Sequence, residues 1–133
     1  MLKQTSYFQQ RYPVEQRISM SERIRERFPD RVPVILEPIK SLPNGSLFPN
    51  NKYAVPQQCL VSALSEIVTG KLGCNTKLYI RLENYPPGWS NWLLSYVYDT
   101  SLIPAPANMK LLEMYTLYKH LDGLLYIAYT IEK

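Results

Sequence analysis

The stretch Arg27–Glu37, with the sequence RFPDRVPVILE, most constrains what this chain can fold into, because a charged helical pattern gives way there to a β-branched strand. Phe28 closes the preceding apolar stripe. Pro29 disfavours further helix, since it has no N–H to donate and restricts the residue before it. Asp30 is a residue type that favours turns. The stretch therefore predicts a helix that is followed within a few residues by a strand.

From Val32 onward the apolar period changes to two, which is the period of a strand. One face of this strand carries Val32, Val34 and Leu36, and the other carries Arg31, Pro33, Ile35 and Glu37. The second face mixes charged and apolar groups, which is typical of the solvated side of a sheet. Pro33 and Ile35 side by side could also form the floor of a shallow docking groove. A proline within the strand suggests, in addition, a position at the sheet edge.

The other patterns predict four helices and three strands, which with Arg31–Glu37 makes four strands. The segments are a short helix within Leu2–Gln10, an amphipathic helix over Pro13–Arg27, a strand over Lys52–Val55, a helix over Gln57–Thr69, a strand over Trp92–Tyr98, a helix over Pro106–Lys119 and a strand over Leu124–Thr130. Leu78–Leu82 fits either a strand or a helical turn, and it lies in a segment that departs from the regular order of elements. Asp99–Ala105 is expected to be a loop. An α+β domain with helices on one side of a mixed sheet follows. Pro56 ends the second strand and suggests a sheet edge, which can accept an extended peptide as an added strand.

Length and composition limit the class of protein. The 133 residues, of which 46% are hydrophobic, suffice for one globular core. A formal charge of +4 would suit acidic peptides, anionic lipid or nucleic acid without choosing among them. Nucleic-acid binding has no support beyond this charge and the aromatic content, so no nucleic-acid partner is expected. The two cysteines and the absence of a signal-peptide pattern lead us to expect a cytosolic protein.

Residues that could carry catalysis or bind a metal are few and scattered. His120 is the sole histidine and is expected at a surface corner between a helix and a strand. Cys59 falls in a helical pattern, where a cysteine is usually a small core residue, and one histidine with two cysteines does not make the usual zinc ligand set. There is no phosphate-binding glycine loop and no evident pair of acid and base carboxylates. We therefore expect no enzyme, no metal and no cofactor.

Several motifs together resemble the autophagy-related ubiquitin-like modifiers, the family that includes autophagy-related protein eight and the GABA-A-receptor-associated protein. They are Tyr12–Arg17 (YPVEQR), Ser21–Ile24 (SERI), Phe28–Ile35 (FPDRVPVI), Lys52–Pro56 (KYAVP) and Asp122–Tyr129 (DGLLYIAY). The similarity covers Gln10–Thr69 and Trp92–Thr130 and fails over 72–91, which the resemblance marks as an insertion. It implies one ubiquitin-like β-grasp domain over residues 1–133, with two additional N-terminal helices within residues 1–28.

The resemblance also implies an adaptor that binds short aromatic-x-x-aliphatic motifs of autophagy receptors by β-augmentation. The motif matches assign Ile24, Pro33, Ile35, Lys52 and Leu124 to a first pocket. They assign Tyr53, Val55, Pro56, Leu64 and Ile67 to a second pocket, with Arg31 near the acidic flank of the ligand, and Ala54 is a further peptide-binding residue. Met20, Ala54 and Leu124 depart from the family pattern, so the first pocket is expected to be reshaped.

Membrane attachment is a further implication of the resemblance. Family members are processed by a protease to a C-terminal glycine, which ubiquitin-like activating and conjugating enzymes join to phosphatidylethanolamine, so that the protein moves from the cytoplasm to the autophagosome membrane. This chain stops at Ile131–Lys133. Two alternatives stay open, a tail that the chain lacks or a member that is not lipidated. The alternative function is a non-lipidated ubiquitin-like protein-interaction or conjugation-machinery subunit. It would use 72–91 as its contact surface, with Trp89 and Trp92 as contact residues.

Overall fold

The computed structural model describes residues 6–39, 51–82 and 102–132. The helices in these ranges are α1 (Tyr7–Arg11), α2 (Val14–Arg27), α3 (Val61–Leu72) and α4 (Leu111–Tyr118). The strands are β1 (Arg31–Pro38), β2 (Lys52–Pro56), β3 (Asn75–Arg81), β4 (Leu102–Pro104) and β5 (Leu125–Glu132). Among the described residues, no helix has the length and apolar character that crossing a membrane requires.

The strands form one mixed sheet in the order β2-β1-β5-β3-β4. β1 and β5 run parallel in the centre, and the pairs β1–β2, β3–β5 and β3–β4 are antiparallel. The connection from the β1–β2 pair to β3 runs through α3, which packs on the sheet. This arrangement confirms the α+β class and the β-grasp, and α1 and α2 are the two additional N-terminal helices.

The sheet carries helices on both faces, so the expectation of helices on one side was wrong. Val32, Val34 and Leu36 of β1 face the main core, which they share with buried side chains of α3 and α4. On the opposite face, Ile35 packs with residues of α1 and of the β5 region. That second cluster consists of Phe8, Ile35, Leu124 and Tyr126, with Tyr12 and Met20 against it. The physical reason is that β1 and β5 are central strands with apolar side chains on both faces, and both faces must be covered.

Pro33 lies in an interior strand, although a proline had suggested a sheet edge. Residue pairs with and without mutual hydrogen bonds alternate along the antiparallel β1–β2 ladder. The bond from the Leu36 N–H to the Asn51 carbonyl (2.8 Å) shows that Leu36 and Asn51 form a hydrogen-bonded pair. Pro33 is opposite Ala54, at a position without mutual bonds, so its nitrogen faces β5. The pairing of β1 with β5 begins only at Val34, beside Leu125. No N–H is therefore needed at Pro33.

Of three further sequence expectations, the structure confirms one and corrects two. The strand alternative for Leu78–Leu82 is confirmed, because β3 occupies Asn75–Arg81 and lies inside the sheet. β4 lies where a loop was expected, and α4 starts at Leu111 rather than at Pro106. The expected strand Trp92–Tyr98 and residue Trp89 lie outside the described residues. That 72–91 is an insertion relative to the family stays a prediction.

Candidate peptide-binding site

A half-open apolar cavity of about 270 Å³ lies between β2 and α3. We call it the β2–α3 groove. One wall comes from β2 and the opposite wall from successive turns of α3, at Leu64, Ile67 and Val68. Side chains of β1 that lie under β2 complete it. Its lining residues are Val34, Leu36, Tyr53, Ala54, Val55, Pro56, Cys59, Leu64, Ile67, Val68 and Lys71.

The groove gathers six of the twelve residues that the sequence motifs assigned to peptide binding. They are Tyr53, Ala54, Val55, Pro56, Leu64 and Ile67. Sequence reasoning missed its other five lining residues. Helical period could have found Lys71, because it lies four residues after Ile67 on α3. Strand period could have found Val34 and Leu36, because they lie on the same face of β1 as Val32.

β2 is the end strand of the described sheet and has a backbone edge beside the groove. The ladder alternation that directs the polar groups of Tyr53 and Val55 toward β1 directs those of Ala54 away from it. The Ala54 carbonyl accepts a long hydrogen bond of 3.4 Å from Arg31 Nη1. The backbone N–H and carbonyl of Ala54 therefore lie on the outer edge of β2, and Arg31 lies beside that edge.

Basic side chains lie at both ends of β2. Lys71 Nζ is 5.4 Å from the centroid of the Tyr53 ring at the wall of the groove. At the other end, the guanidinium of Arg31 is exposed and lies 5.4 Å from the centroid of the Phe28 ring. Burial raises the pKa of the Tyr53 phenol. The edge is thus positively charged at its ends and apolar between them.

The five residues assigned to the first pocket lie outside the groove and are buried or half-buried. Ile35 and Leu124 expose 0% of their surface, since both belong to the cluster with Phe8 and Tyr126. Pro33 is buried as well, and Ile24 and Lys52 are half-buried. Met20 packs against the same cluster. Of the five, the two that lie deepest are covered by side chains of the N-terminal helices.

A buried carboxylate holds α1 in that position. Glu37, at the end of β1, accepts hydrogen bonds from Ser6 Oγ (2.5 Å) and from the backbone N–H of Phe8 (2.8 Å). The ring of Phe8 lies 4.8 Å from that of Tyr12, centroid to centroid. These bonds connect the N-terminal segment to the sheet, although 29 or more residues separate the partners in sequence.

A second polar network joins α2 to the corner between α4 and β5. Asp122 is buried and accepts hydrogen bonds from Arg17 Nη1 (2.8 Å), from the Tyr126 hydroxyl (2.6 Å) and from the N–H of Leu124 (2.9 Å). Burial and the bond to Asp122 raise the pKa of the Tyr126 phenol. The network determines the position of Leu124, which directly precedes β5.

The single histidine is buried, so the expectation of a surface position was wrong. His120 exposes 3% of its surface, and its Nε2 lies 2.8 Å from the carbonyl of Arg81. Its Nδ1 lies 3.0 Å from Gln9 Nε2 of α1. Because a carbonyl only accepts and the amide nitrogen only donates, the neutral tautomer that carries its proton on Nε2 satisfies both contacts. His120 therefore connects α1, β3 and the corner before β5.

The described residues contain no group of three or more His, Cys, Asp or Glu that could hold a metal ion. Cys59 and Cys74 are free thiols, and burial raises the pKa of the Cys59 thiol. Cys59 precedes α3 instead of lying in a helix, as the sequence had suggested, but it packs against the main core and lines the groove.

Residues 16–133 match the family model described as "Autophagy protein Atg8 ubiquitin like". The chain belongs to the Atg8 family. It is 31% identical to autophagy-related protein 8a of Arabidopsis thaliana over 90% of this chain and 84% of that protein. It is 30% identical to autophagy-related protein 8c of the same plant, over 96% of this chain and 92% of that protein. Atg8-family proteins are ubiquitin-like modifiers and adaptors, not enzymes, in agreement with the expectation from the sequence.

Two solved structures of Atg8 proteins share the fold. The crystal structure of Trypanosoma brucei ATG8 matches with a TM-score of 0.71 at 22% identity, over 97% of each chain. Plasmodium falciparum Atg8 in complex with a Plasmodium falciparum Atg3 peptide matches with a TM-score of 0.68 at 20% identity, over 97% of this chain and 98% of that chain. At these identities the comparison supports the fold alone, and it agrees with the ubiquitin-like topology described above.

Proposed function

We propose that this Atg8-family chain is an autophagy adaptor that binds short, extended, acidic peptide motifs as an added strand on β2. The observation that carries the proposal is the open apolar groove directly beside an end strand. Backbone hydrogen bonds to the β2 edge supply affinity, and an aliphatic side chain of the ligand enters the β2–α3 groove and supplies specificity.

The charges around β2 favour an acidic ligand. Lys71 lies at the groove, and Arg31 lies at the end of β2 that pairs with the start of β1. Acidic residues on either side of the aliphatic anchor would approach these cations, which accelerates association and disfavours basic competitors. Arg31 would exchange its long bond to the Ala54 carbonyl for a bond to a ligand carboxylate.

Ligands of two kinds fit this description, receptor motifs and peptides of the conjugation machinery. The complex of Plasmodium falciparum Atg8 with an Atg3 peptide is a precedent in a protein of the same fold. We extend that precedent to this chain, with activating enzyme, conjugating enzyme and processing protease as partners. Attachment to phosphatidylethanolamine belongs to the proposal for a form of the protein that carries a C-terminal glycine, and a mass measurement of the endogenous C-terminal peptide tests it.

The experiment is an amide chemical-shift titration of the labelled protein with a Trp-x-x-Leu peptide that has acidic flanks. We expect the largest shifts at Tyr53–Val55, at Arg31 and along the groove wall of α3. Shifts confined to other regions would contradict the proposal. Because the attraction is partly electrostatic, affinity should fall as salt is added.

A pair of matched substitutions separates groove binding from general hydrophobic attraction. Ile67 (53% exposed, in the groove) and Leu117 (60% exposed, on α4) are both surface aliphatic residues in helices, so each tolerates serine with little effect on stability. We expect Ile67→Ser to weaken peptide binding by about tenfold, which corresponds to the loss of about 1.4 kcal/mol of apolar contact. Leu117→Ser should leave the affinity unchanged, and equal effects of the two would refute the groove.

A further inference from the structure

The outward face of α4 carries an apolar surface that the proposed peptide binding does not use. Leu117 is 60% exposed and Leu112 is 38% exposed, whereas Leu111, Met114 and Tyr115 of the same helix are buried in the main core. An open, shallow cavity of about 670 Å³ lies over the exposed face. We call this surface the α4 patch. Its lining residues are Gln58, Asn108, Lys110, Leu112, Glu113, Thr116 and Leu117.

The middle of the α4 patch is less polar than its residue types suggest. Thr116 Oγ1 donates a hydrogen bond of 2.8 Å to the carbonyl of Leu112, so the hydroxyl is satisfied within the helix. Leu112 and Leu117 lie on the two sides of Thr116 along α4. Exposed aliphatic side chains with a polar rim are typical of a surface that contacts another protein.

The backbone under the α4 patch is fixed by hydrogen bonds to a neighbouring segment. The N–H of Leu111 donates to the carbonyl of Cys59 (2.9 Å), and the N–H of Leu112 donates to that of Gln57 (3.0 Å). The first turn of α4 is thus bonded to the residues that precede α3. A surface that is already ordered loses little conformational entropy when a partner docks on it.

The charges of the α4 patch are complementary to themselves. Of the described residues that line it, Lys110 and Glu113 are the charged ones, and they lie before and after Leu112. Both side chains are exposed, and neither makes an ion pair within the described ranges. In a twofold-symmetric pair, each contact between two different residues occurs twice. A twofold axis beside Leu112 therefore brings Lys110 of each copy to Glu113 of the other.

We propose that the α4 patch binds a second copy of this chain. Two Lys110–Glu113 ion pairs join the copies, and Leu112 and Leu117 supply the apolar contact. Seven lining residues are few compared with the roughly 20–30 residues on each side of a standard interface. The pair is therefore weak, with a dissociation constant on the order of 0.1 mM.

Pairing brings two peptide-binding grooves into one particle. Gln58 lines the α4 patch and the next residue, Cys59, lines the β2–α3 groove, so the two surfaces are neighbours. A ligand that carries two motifs then gains avidity, whereas a peptide with one motif does not. Self-association needs no peptide, so its measurement does not depend on the proposed function.

Sedimentation equilibrium of the full chain without ligand tests the inference. The buffer contains a reductant, because Cys59 and Cys74 are free thiols that could otherwise link two copies covalently. We expect an equilibrium between monomer and dimer, without larger species, because a twofold contact is closed. A chain that stays monomeric up to about 1 mM, or that forms larger oligomers, overturns the inference.

Charge reversal identifies the surface. Lys110→Glu and Glu113→Lys should each weaken self-association by about tenfold, because each replaces two attractive contacts with two repulsive ones. An equimolar mixture of the two variants should pair within about threefold of the natural chain, since opposite charges then meet at both contacts. A mixture that pairs no better than either variant alone overturns the twofold arrangement. The matched control is Arg23→Glu on the exposed side of α2, which changes the net charge as much as Lys110→Glu and should have no effect.

The apolar contact has its own test. Leu117→Ser should weaken self-association by at least about fivefold while the affinity for a peptide with one motif stays unchanged. Thermal melts of all variants verify that the fold persists. Self-association that responds to neither Leu117→Ser nor Lys110→Glu would mean that another surface pairs, and the inference would fail. If the chain pairs as described but binds no motif peptide, the proposed function fails and the inference stands.

Discussion

Replacement of Gly123 by alanine should lower the free energy of unfolding by about 2–4 kcal/mol. Gly123 has φ of +84°, which costs a residue with a side chain about 1–2 kcal/mol. A Cβ atom there would lie 2.4 Å from Ser21 Oγ and 3.2 Å from Ser21 Cβ, so Ser21 must move. Its hydroxyl donates to the Gly123 carbonyl at 2.9 Å and is buried, and the loss of that bond adds about 1–2 kcal/mol.

Two other glycines of the chain provide matched controls. Gly73 ends α3 with φ of +72°, but an added Cβ would meet no atom within 4 Å, so Gly73→Ala should cost only the conformational term of about 1–2 kcal/mol. Gly70 lies within α3 and also has open space around it. Gly70→Ala should therefore stabilise the protein, by up to about 1 kcal/mol.

Chemical denaturation followed by far-ultraviolet circular dichroism measures all three variants. The reasoning is refuted if Gly123→Ala costs no more than Gly73→Ala, because the two share the backbone term and differ in the contact with Ser21. A double-mutant cycle with Ser21→Ala isolates that contact. Gly123→Ala should cost about 1 kcal/mol less in the Ser21→Ala background, since the nearest atom is then gone while Cβ remains.

Three further predictions concern the polar networks. Asp122→Asn should lower the free energy of unfolding by about 2–4 kcal/mol in denaturant titrations, because Arg17 keeps its charge but loses its buried partner. A loss of less than about 0.5 kcal/mol would mean that the ion pair makes no net contribution to stability. The pKa of Tyr126 is raised from 10.0 in the folded state. Tyr126 therefore stabilises the fold below about pH 10, and this stabilisation is lost as pH rises through the folded pKa. Tyr126→Phe should therefore lose less stability than the natural chain in alkaline melts, and parallel pH profiles would contradict this. Glu37→Gln should increase hydrogen exchange in α1, because one of the two acceptor oxygens becomes an amide NH₂; unchanged exchange would show that the carboxylate does not hold α1.

Local pattern was enough to predict most of the elements, and the motif matches named six of the eleven residues that line the groove. The period of two from Val32, the apolar spacing on α3 and the alternation in β5 each depend on neighbours in sequence, and the structure agrees with all three. The Lys52–Val55 strand and its position at a sheet edge were predicted from Pro56 in the same way. The residues that the motif matches assigned to the second pocket lie on β2 and α3, which together form the groove.

What failed depended on contacts between distant segments. A proline was read as an edge signal, but Pro33 is accommodated because the ladder alternation aims its nitrogen to a side where pairing with β5 has not yet begun. His120 was expected at the surface, and it is buried because Gln9 and the Arg81 carbonyl, 111 and 39 residues away, satisfy its ring nitrogens. No local period contains that information.

The sequence by itself determined the family, the α+β class and the position of the Lys52–Val55 strand at a sheet edge, because these follow from local periodicity and from motifs of adjacent residues. Tertiary structure alone decided which of the apolar residues assigned to the site are buried. Ile35 and Leu124 have the apolar character that a pocket requires, yet α1 and α2 bring Phe8 and Met20 against them. Burial depends on which distant side chains arrive at a residue, so only the folded chain distinguishes an available apolar surface from one that it has already covered.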